Sequence, residues 1–142
     1  MFTFNRSLDL DAEGLSMFLL PYQRDALTHL YTVGEANSRA LWLYVNRDGA
    51  PDPKSRASVI NFLNALVAED LIAYKENTGK GGYHRVYMPH PDYLTVNMFK
   101  RELVRRLLKK IALEFNDVLI LGEETRRFIV DGEPNRLQRE EP

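Results

Sequence analysis

The order of elements between Pro21 and Pro89 constrains the fold of this chain more than any other feature. Proline at a first helical position and apolar residues three and four apart predict a helix over Pro21–Val33, with Gly34 at its end. A shorter second helix follows, because Asn37 or Ser38 is placed to cap its N-terminus. The side chains of this second helix that we expect to be buried are Leu41, Trp42 and Val45.

A third helix is predicted after the turn cluster Asn46-Arg47-Asp48-Gly49. Asp52 can cap it, Pro53 suits its first position, and its apolar spacing continues to about Glu69. We expect its buried stripe to consist of Ile60, Leu63, Leu66 and Val67.

A β-hairpin is predicted after the third helix. The segments 71–76 and 83–88 alternate in polarity, and the glycines between them permit a tight turn. A short helix, a second helix and a glycine-tipped hairpin in this order are typical of a winged helix-turn-helix domain. We therefore expect a mainly α fold with a small β-hairpin.

The chain divides by composition into four regions. The regions are an acidic N-terminal extension (1–20, either a short arm or a strand at Phe2-Thr3-Phe4), the winged helix-turn-helix domain (21–90), a C-terminal helical region (91–130) and a polar tail from Asp131. A long helix is expected over 91–116, followed by further apolar stretches at 118–121 and 123–130. We expect the tail to be disordered.

The net charge of −1 is unevenly distributed. Residues 54–110 contain 11 basic and 5 acidic side chains, a net charge of +6, whereas the rest of the chain carries −7. A local positive potential attracts phosphates even when the total charge is near zero. A solvated basic face that binds nothing is the alternative.

The third helix carries small polar and basic residues near its start, on the side away from the expected apolar stripe. Such side chains suit contact with base edges or phosphates in the major groove of DNA. The residues expected to contact DNA from this helix are Lys54, Ser55, Arg56, Ser58 and Asn61. An ordinary surface helix of the same composition is the alternative.

The hairpin adds two basic candidates. Lys80 at the tip and Arg85 beside it are placed to contact phosphates, although a plain hairpin turn would also contain these glycines. Tyr83 and Tyr87 are expected to pack on the third helix rather than to stack on bases.

The long C-terminal helix has an apolar stripe that is wider than a small domain can cover, which indicates a homodimer. Its expected dimerisation residues are Phe99, Leu103, Leu107, Ile111 and Phe115. The opposite face is basic. Packing within one monomer and binding to a membrane surface are the two alternatives for this helix.

Several classes of function are disfavoured by composition. The chain has no cysteine, and His29, His84 and His90 show no metal-ligand spacing. No serine lies in a nucleophile-elbow context, and Gly79-Lys80-Gly81-Gly82 lacks the Gly-Lys-Ser/Thr of a phosphate-binding loop. We expect neither an enzyme nor a protein with a cofactor or metal.

We also expect a cytoplasmic protein that does not enter a membrane, since no signal peptide or apolar span is visible.

Four segments of the chain resemble the penicillinase/methicillin-resistance repressor family of winged-helix regulators. The segments are Val33-Gly34-Glu35-Ala36, Pro53-Lys54-Ser55-Arg56-Ala57-Ser58-Val59, the junction over 63–72 and the strand Tyr83-His84-Arg85-Val86-Tyr87-Met88-Pro89. The resemblance implies a homodimer that binds palindromic operators and blocks transcription, with C-terminal helices forming the dimer. It also implies that Lys54, Ser55, Arg56 and Ser58 contact bases or phosphates.

Together these features predict a homodimeric transcriptional regulator that binds double-stranded DNA and acts as a repressor rather than as an activator. A small-molecule effector between the winged domain and the dimer helices is compatible with the sequence. The alternative is a winged-helix adaptor whose third helix contacts a protein and which does not bind specific DNA sequences.

Overall fold

The computed structural model describes residues 8–79, 82–118 and 122–131, and these contain five α-helices and a small antiparallel sheet. The helices are α1 (Pro21–Val33), α2 (Ser38–Val45), α3 (Arg56–Ala68), α4 (Val96–Glu114) and α5 (Glu123–Asp131). The strands are β1 (Ala36–Asn37), β2 (Ile72–Gly79) and β3 (Gly82–Pro89), and a 3-10 helix spans Gly14–Met17. The architecture is mixed α/β.

The sheet contains three strands in the order β1-β3-β2, all antiparallel. The predicted hairpin is present as β2 and β3, and its strands continue to the pair Gly79↔Gly82, beyond the predicted 71–76 and 83–88. The sheet also contains a strand that was not predicted, because Ala36 and Asn37 pair with Tyr87 and Val86. Two residues are too few to show an alternating pattern in the sequence.

Helix α1 has the predicted bounds. Gly34 follows it with a φ of 88° and donates its backbone N–H to the carbonyl of Leu30 at 2.8 Å. A positive φ is accessible to glycine without steric cost, which explains why the helix ends there.

Part of the segment that was expected to be a short arm or a strand forms a 3-10 helix before α1. The 3-10 helix Gly14–Met17 brings Leu15 into the core, and Leu19 is also fully buried. Apolar burial therefore attaches this part of the acidic segment to the helices. The alternating residues Phe2-Thr3-Phe4 lie outside the described residues.

The chain divides into two compact units, with the boundary between Phe99 and Lys100. The first unit contains α1, α2, α3 and the sheet, and fully buried leucines from all three helices fill its core. These fully buried leucines are Leu27, Leu30, Leu41, Leu63 and Leu66.

Helix α4 begins later than the expected position 91. Thr95 precedes it, and the Thr95 Oγ1 accepts a hydrogen bond from the backbone N–H of Met98 at 3.1 Å. The expected further helical stretch is present as α5, which ends at Asp131. The polar tail over 132–142 lies outside the described residues.

Candidate nucleic-acid interface

The turn between α2 and α3 is fixed by one asparagine. The Asn46 Nδ2 donates to the carbonyl of Trp42 at 2.9 Å and to the carbonyl of Lys54 at 2.8 Å. The first bond closes the C-terminus of α2, and the second holds the segment that enters α3. Asn46 thereby sets the position of α3 relative to α2.

Helix α3 begins at Arg56, three residues after the predicted Pro53. Ser55 is its N-cap, since the Ser55 Oγ accepts from the backbone N–H of Ser58 at 3.1 Å. The predicted cap, Asp52, instead accepts from the backbone N–H of Tyr22 at 3.2 Å and so stabilises the start of α1. Both residues are good N-caps, and the contact with α1 determines which of them caps α3.

The buried face of α3 also differs from the prediction. Its buried side chains are Val59, Phe62, Leu63 and Leu66, whereas Ile60 and Val67 are only half-buried. Trp42 on α2 is likewise half-buried, although it was expected in the core. Helix α3 is apolar around most of its circumference, so apolar spacing alone did not identify the buried face.

The opposite face of α3 consists of short side chains. Positions 57, 61, 64 and 68 lie within about 60° of one another at 100° per residue. Ala57, Asn61 and Ala68 are exposed, and Asn64 is half-buried. A ridge of this kind leaves the helix backbone open to close approach by a partner.

The five residues predicted to contact DNA from this region fall into three groups. The Ser55 and Ser58 hydroxyls lie 3.0 Å apart and are engaged in the cap. The Lys54 Nζ lies 3.5 Å from the Asp52 carboxylate, in the segment before α3. Arg56 and Asn61 are exposed, and neither side chain bonds to another described residue.

The hairpin is attached to α3 through Asn64. The Asn64 Oδ1 accepts from the Tyr87 hydroxyl at 2.7 Å and from the Arg85 Nη1 at 3.0 Å. Tyr87 is only 3% exposed, so its expected packing on α3 is confirmed. Burial raises the pKa of the Tyr87 phenol, and the neighbouring Arg85 opposes this effect.

Arg85 has a different role from the one its position in the sequence suggested. Its guanidinium carbon lies 4.0 Å from the centre of the Tyr74 ring, in addition to the bond with Asn64. The side chain therefore holds β2, β3 and α3 together, and only its remaining N–H groups are available to a phosphate. Lys80 and the side chain of Tyr83 lie outside the described residues.

A stacked cluster supports α1 and α2 at the base of this turn. The His29 ring lies 3.7 Å from the Tyr44 ring, and the Arg47 guanidinium lies 3.9 Å from the same ring. Arg47 also pairs with Asp25 at 3.0 Å. Burial and the charge of Arg47 lower the pKa of His29, with Asp25 acting in the opposite direction, so the neutral form of the imidazole is favoured.

Charge is distributed differently between the two units. The first unit, over 2–99, contains nine basic and eleven acidic residues, a net charge of −2. The segment 100–110 of α4 contains six basic residues and one acidic residue, a net charge of +5. Most of the positive charge in the +6 stretch therefore lies on α4 rather than on the unit that contains α3.

The predicted dimerisation residues on α4 differ in burial. Phe99 and Leu103 are fully buried within the single chain, and Phe99 packs edge-on against Tyr31 at 6.1 Å. These two side chains thus offer no surface to a second chain. Leu107 and Ile111 are half-buried, and Phe115 is 54% exposed.

Further exposed apolar side chains lie on α4 and just after it. Val104 and Leu113 on α4 and Val118 after it are 42%, 62% and 67% exposed, respectively. Val104 lies on the same side of the helix as Ile111 and Phe115, at intervals of seven and eleven residues. The uncovered apolar stripe is therefore rotated away from Phe99 and Leu103.

A buried carboxylate organises the basic side of α4. Glu102 is 7% exposed and accepts hydrogen bonds from Arg105 (2.8 and 2.9 Å) and Arg106 (2.7 Å). Burial raises the pKa of the Glu102 carboxyl, but the two guanidinium groups outweigh this effect and the net direction is downward. Arg105 and Arg106 are therefore already paired with Glu102, and Lys110 of the same segment pairs with Glu114 at 2.6 Å.

Sequence reasoning missed Asn46, Asn64 and Ala57 as contributors to the candidate interface. Asn46 was recognised only as part of a turn cluster. The partners of Asn64 lie 21 and 23 residues away, so no local signal identifies them. Ala57 is exposed because it lies opposite the buried face of α3, and apolar spacing in the sequence did not identify that face.

Comparison with models of known protein families and with curated proteins gave no match for this chain. Within the described residues, no helix is long and apolar enough to cross a membrane. In the same residues, no group of three potential metal ligands lies together.

Proposed function

We propose that the first unit is a winged helix-turn-helix domain that binds specific sequences of double-stranded DNA, with α3 as the recognition helix. The observation that carries the proposal is the exposed face of α3. Short side chains and Asn61 lie there, on a helix held in place by Asn46 and by the Ser55 cap. Arg56 is exposed at the start of the same helix, and neither Arg56 nor Asn61 bonds to another described residue.

The short side chains on this face of α3 suit entry of the helix into the major groove. The groove of B-DNA is about 12 Å wide and admits an α-helix when its side chains do not hold the backbone away. Ala57 and Asn61 meet this requirement. The Asn64 contacts with Arg85 and Tyr87 attach the β2–β3 hairpin to the same helix, which supports its role as the wing.

The protein would act as a cytoplasmic repressor that occupies a palindromic operator as a homodimer. The apolar stripe of exposed Val104 and Phe115 and half-buried Ile111 supports self-association through α4, because apolar surface of this kind is stabilised by burial. Two α3 helices in successive major grooves would then define half-sites about one helical turn apart.

The test is selection of bound sites from a random duplex library, followed by affinity measurements on Arg56→Ala and Lys54→Ala. Loss of a phosphate contact should weaken binding to all sequences and flatten the salt dependence by about one unit. Arg127→Ala removes the same charge from α5 and serves as the control. If both variants keep the affinity of the unmodified chain, α3 is not the recognition helix.

A second candidate function is supported by the charge of the first unit. A net charge of −2 over 2–99 favours a protein partner over a polyanion, as expected for a winged-helix adaptor. The salt dependence of binding to random duplex DNA separates the two candidates. A DNA-binding protein loses affinity steeply as salt increases, whereas an adaptor binds duplex DNA weakly at every salt concentration.

A further inference from the structure

The exposed face of α3 lacks the side chains that usually recognise guanine. Its outward positions are Ala57, Asn61, Asn64 and Ala68, with no lysine or arginine among them. Arg56 is exposed, but it lies about a third of a turn from the centre of this face. The chemistry available to a base edge is therefore one or two amides and several methyl groups.

Only one of the two asparagines has both its amide oxygen and its amide NH₂ group available to a ligand. The Asn64 Oδ1 already accepts two hydrogen bonds, from Tyr87 and Arg85. The Asn61 side chain is exposed and makes no bond with another described residue. Its oxygen and its NH₂ group can therefore both be used by a ligand.

An asparagine amide matches adenine in the major groove. Its oxygen accepts from the adenine N6 amino group while its NH₂ donates to N7, and a guanine edge presents two acceptors instead. An alanine methyl group makes apolar contact with the C5-methyl of thymine. Ala57 lies one helical turn before Asn61, so both can face neighbouring base pairs.

We propose that α3 specifies A·T base pairs at the centre of each half-site, with Asn61 contacting adenine and Ala57 contacting a thymine methyl group. The inference rests on the proposed function and deepens it by naming the bases. It assigns base recognition to Asn61 and leaves Arg56 as a phosphate contact.

The test uses the full chain and a duplex obtained by selection. Replacement of the contacted adenine by 7-deazaadenine removes the N7 acceptor, and replacement of thymine by uracil removes the methyl group. Loss of the whole bidentate contact in Asn61→Ala should lower affinity by about 5- to 150-fold, and 7-deazaadenine, which removes one of the two hydrogen bonds, should lower the affinity of the unmodified chain by less. The Asn61→Ala variant should no longer respond to 7-deazaadenine.

Asn97→Ala provides the matched control, because Asn97 is an exposed asparagine on α4. It should retain both the affinity and the preference for adenine. Selection of G·C pairs at the centre of the half-site, or an Asn61→Ala variant that still discriminates 7-deazaadenine, would overturn this inference while leaving DNA binding intact. If no duplex is selected, the proposed function itself is contradicted.

Discussion

The two units of this chain use their polar side chains differently. In the first unit, polar groups connect separate elements: Asn46 joins α2 to the α3 entry, and Asn64 joins α3 to β3. The described ion pairs of the second unit are local, since Glu102, Lys110 and Arg127 all pair within three or four residues on their own helices. The first unit is built to hold α3 in a fixed position, whereas α4 presents charge and apolar surface.

The largest expected effect contrasts two phenylalanines, Phe99 on α4 and Phe115 directly after it. Phe99→Ala should lower the free energy of unfolding by about 3–5 kcal/mol, because Phe99 is fully buried in the first unit. Phe115→Ala should change it by no more than about 0.5 kcal/mol, since this side chain is exposed. Urea denaturation of dilute protein measures both.

Sedimentation equilibrium measures the self-association of Phe115→Ala and of the unmodified chain. If the exposed stripe forms the dimer, Phe115→Ala should weaken self-association without loss of folded structure. A Phe115 variant that self-associates as tightly as the unmodified chain would place the dimer surface elsewhere.

A smaller effect is expected from the local charge cluster of the second unit. Glu102→Gln should destabilise the chain by about 2 kcal/mol at pH 7, because two guanidinium groups lose a charged acceptor. The pKa of folded Glu102 lies below its ordinary value of 4.5, so this stabilisation is present above pH 4.5 and is lost as the pH falls further.

Denaturation midpoints of the two proteins between pH 7 and pH 3 measure this effect. The difference between the two denaturation midpoints should become smaller as the pH falls. A difference that stays constant over this range would show that the Glu102 charge is not responsible.

The smallest of these effects concerns a link between elements in the first unit. Asn64→Ala should lower the free energy of unfolding by about 1.5 kcal/mol, because the buried Tyr87 hydroxyl loses its acceptor. Adding Tyr87→Phe removes the unsatisfied hydroxyl and should recover part of this loss. No recovery in the double variant would mean that Asn64 acts by packing rather than through the Tyr87 hydroxyl.

Much of the fold could be predicted from local patterns. Pro21 and Gly34 mark the ends of α1, and alternation identified both long strands of the sheet. The start of α3 was wrong because Asp52 and Ser55 are equally suitable caps, and a contact with Tyr22, 30 residues away, decides between them. Strand β1 and the partners of Asn64 depend on similar long-range contacts.

The candidate interface was predicted less completely than the fold. Arg56 and Asn61 lie exposed on α3 or at its start, but Arg85 is engaged with Asn64 and Tyr74. The +6 stretch was a sum along the sequence, and the structure divides it between two units with different charge. Linear charge counts do not show which side chains are already paired.

Recognition through α3 should give this chain a preference for particular DNA sequences. The most direct measurement is fluorescence anisotropy of the full chain with a selected duplex and with a shuffled duplex of the same composition, both at physiological salt. If α3 recognises sequence, the selected duplex should bind at least about 10³-fold more tightly than the shuffled one. Equal affinity for the two duplexes, or binding to neither, would contradict it.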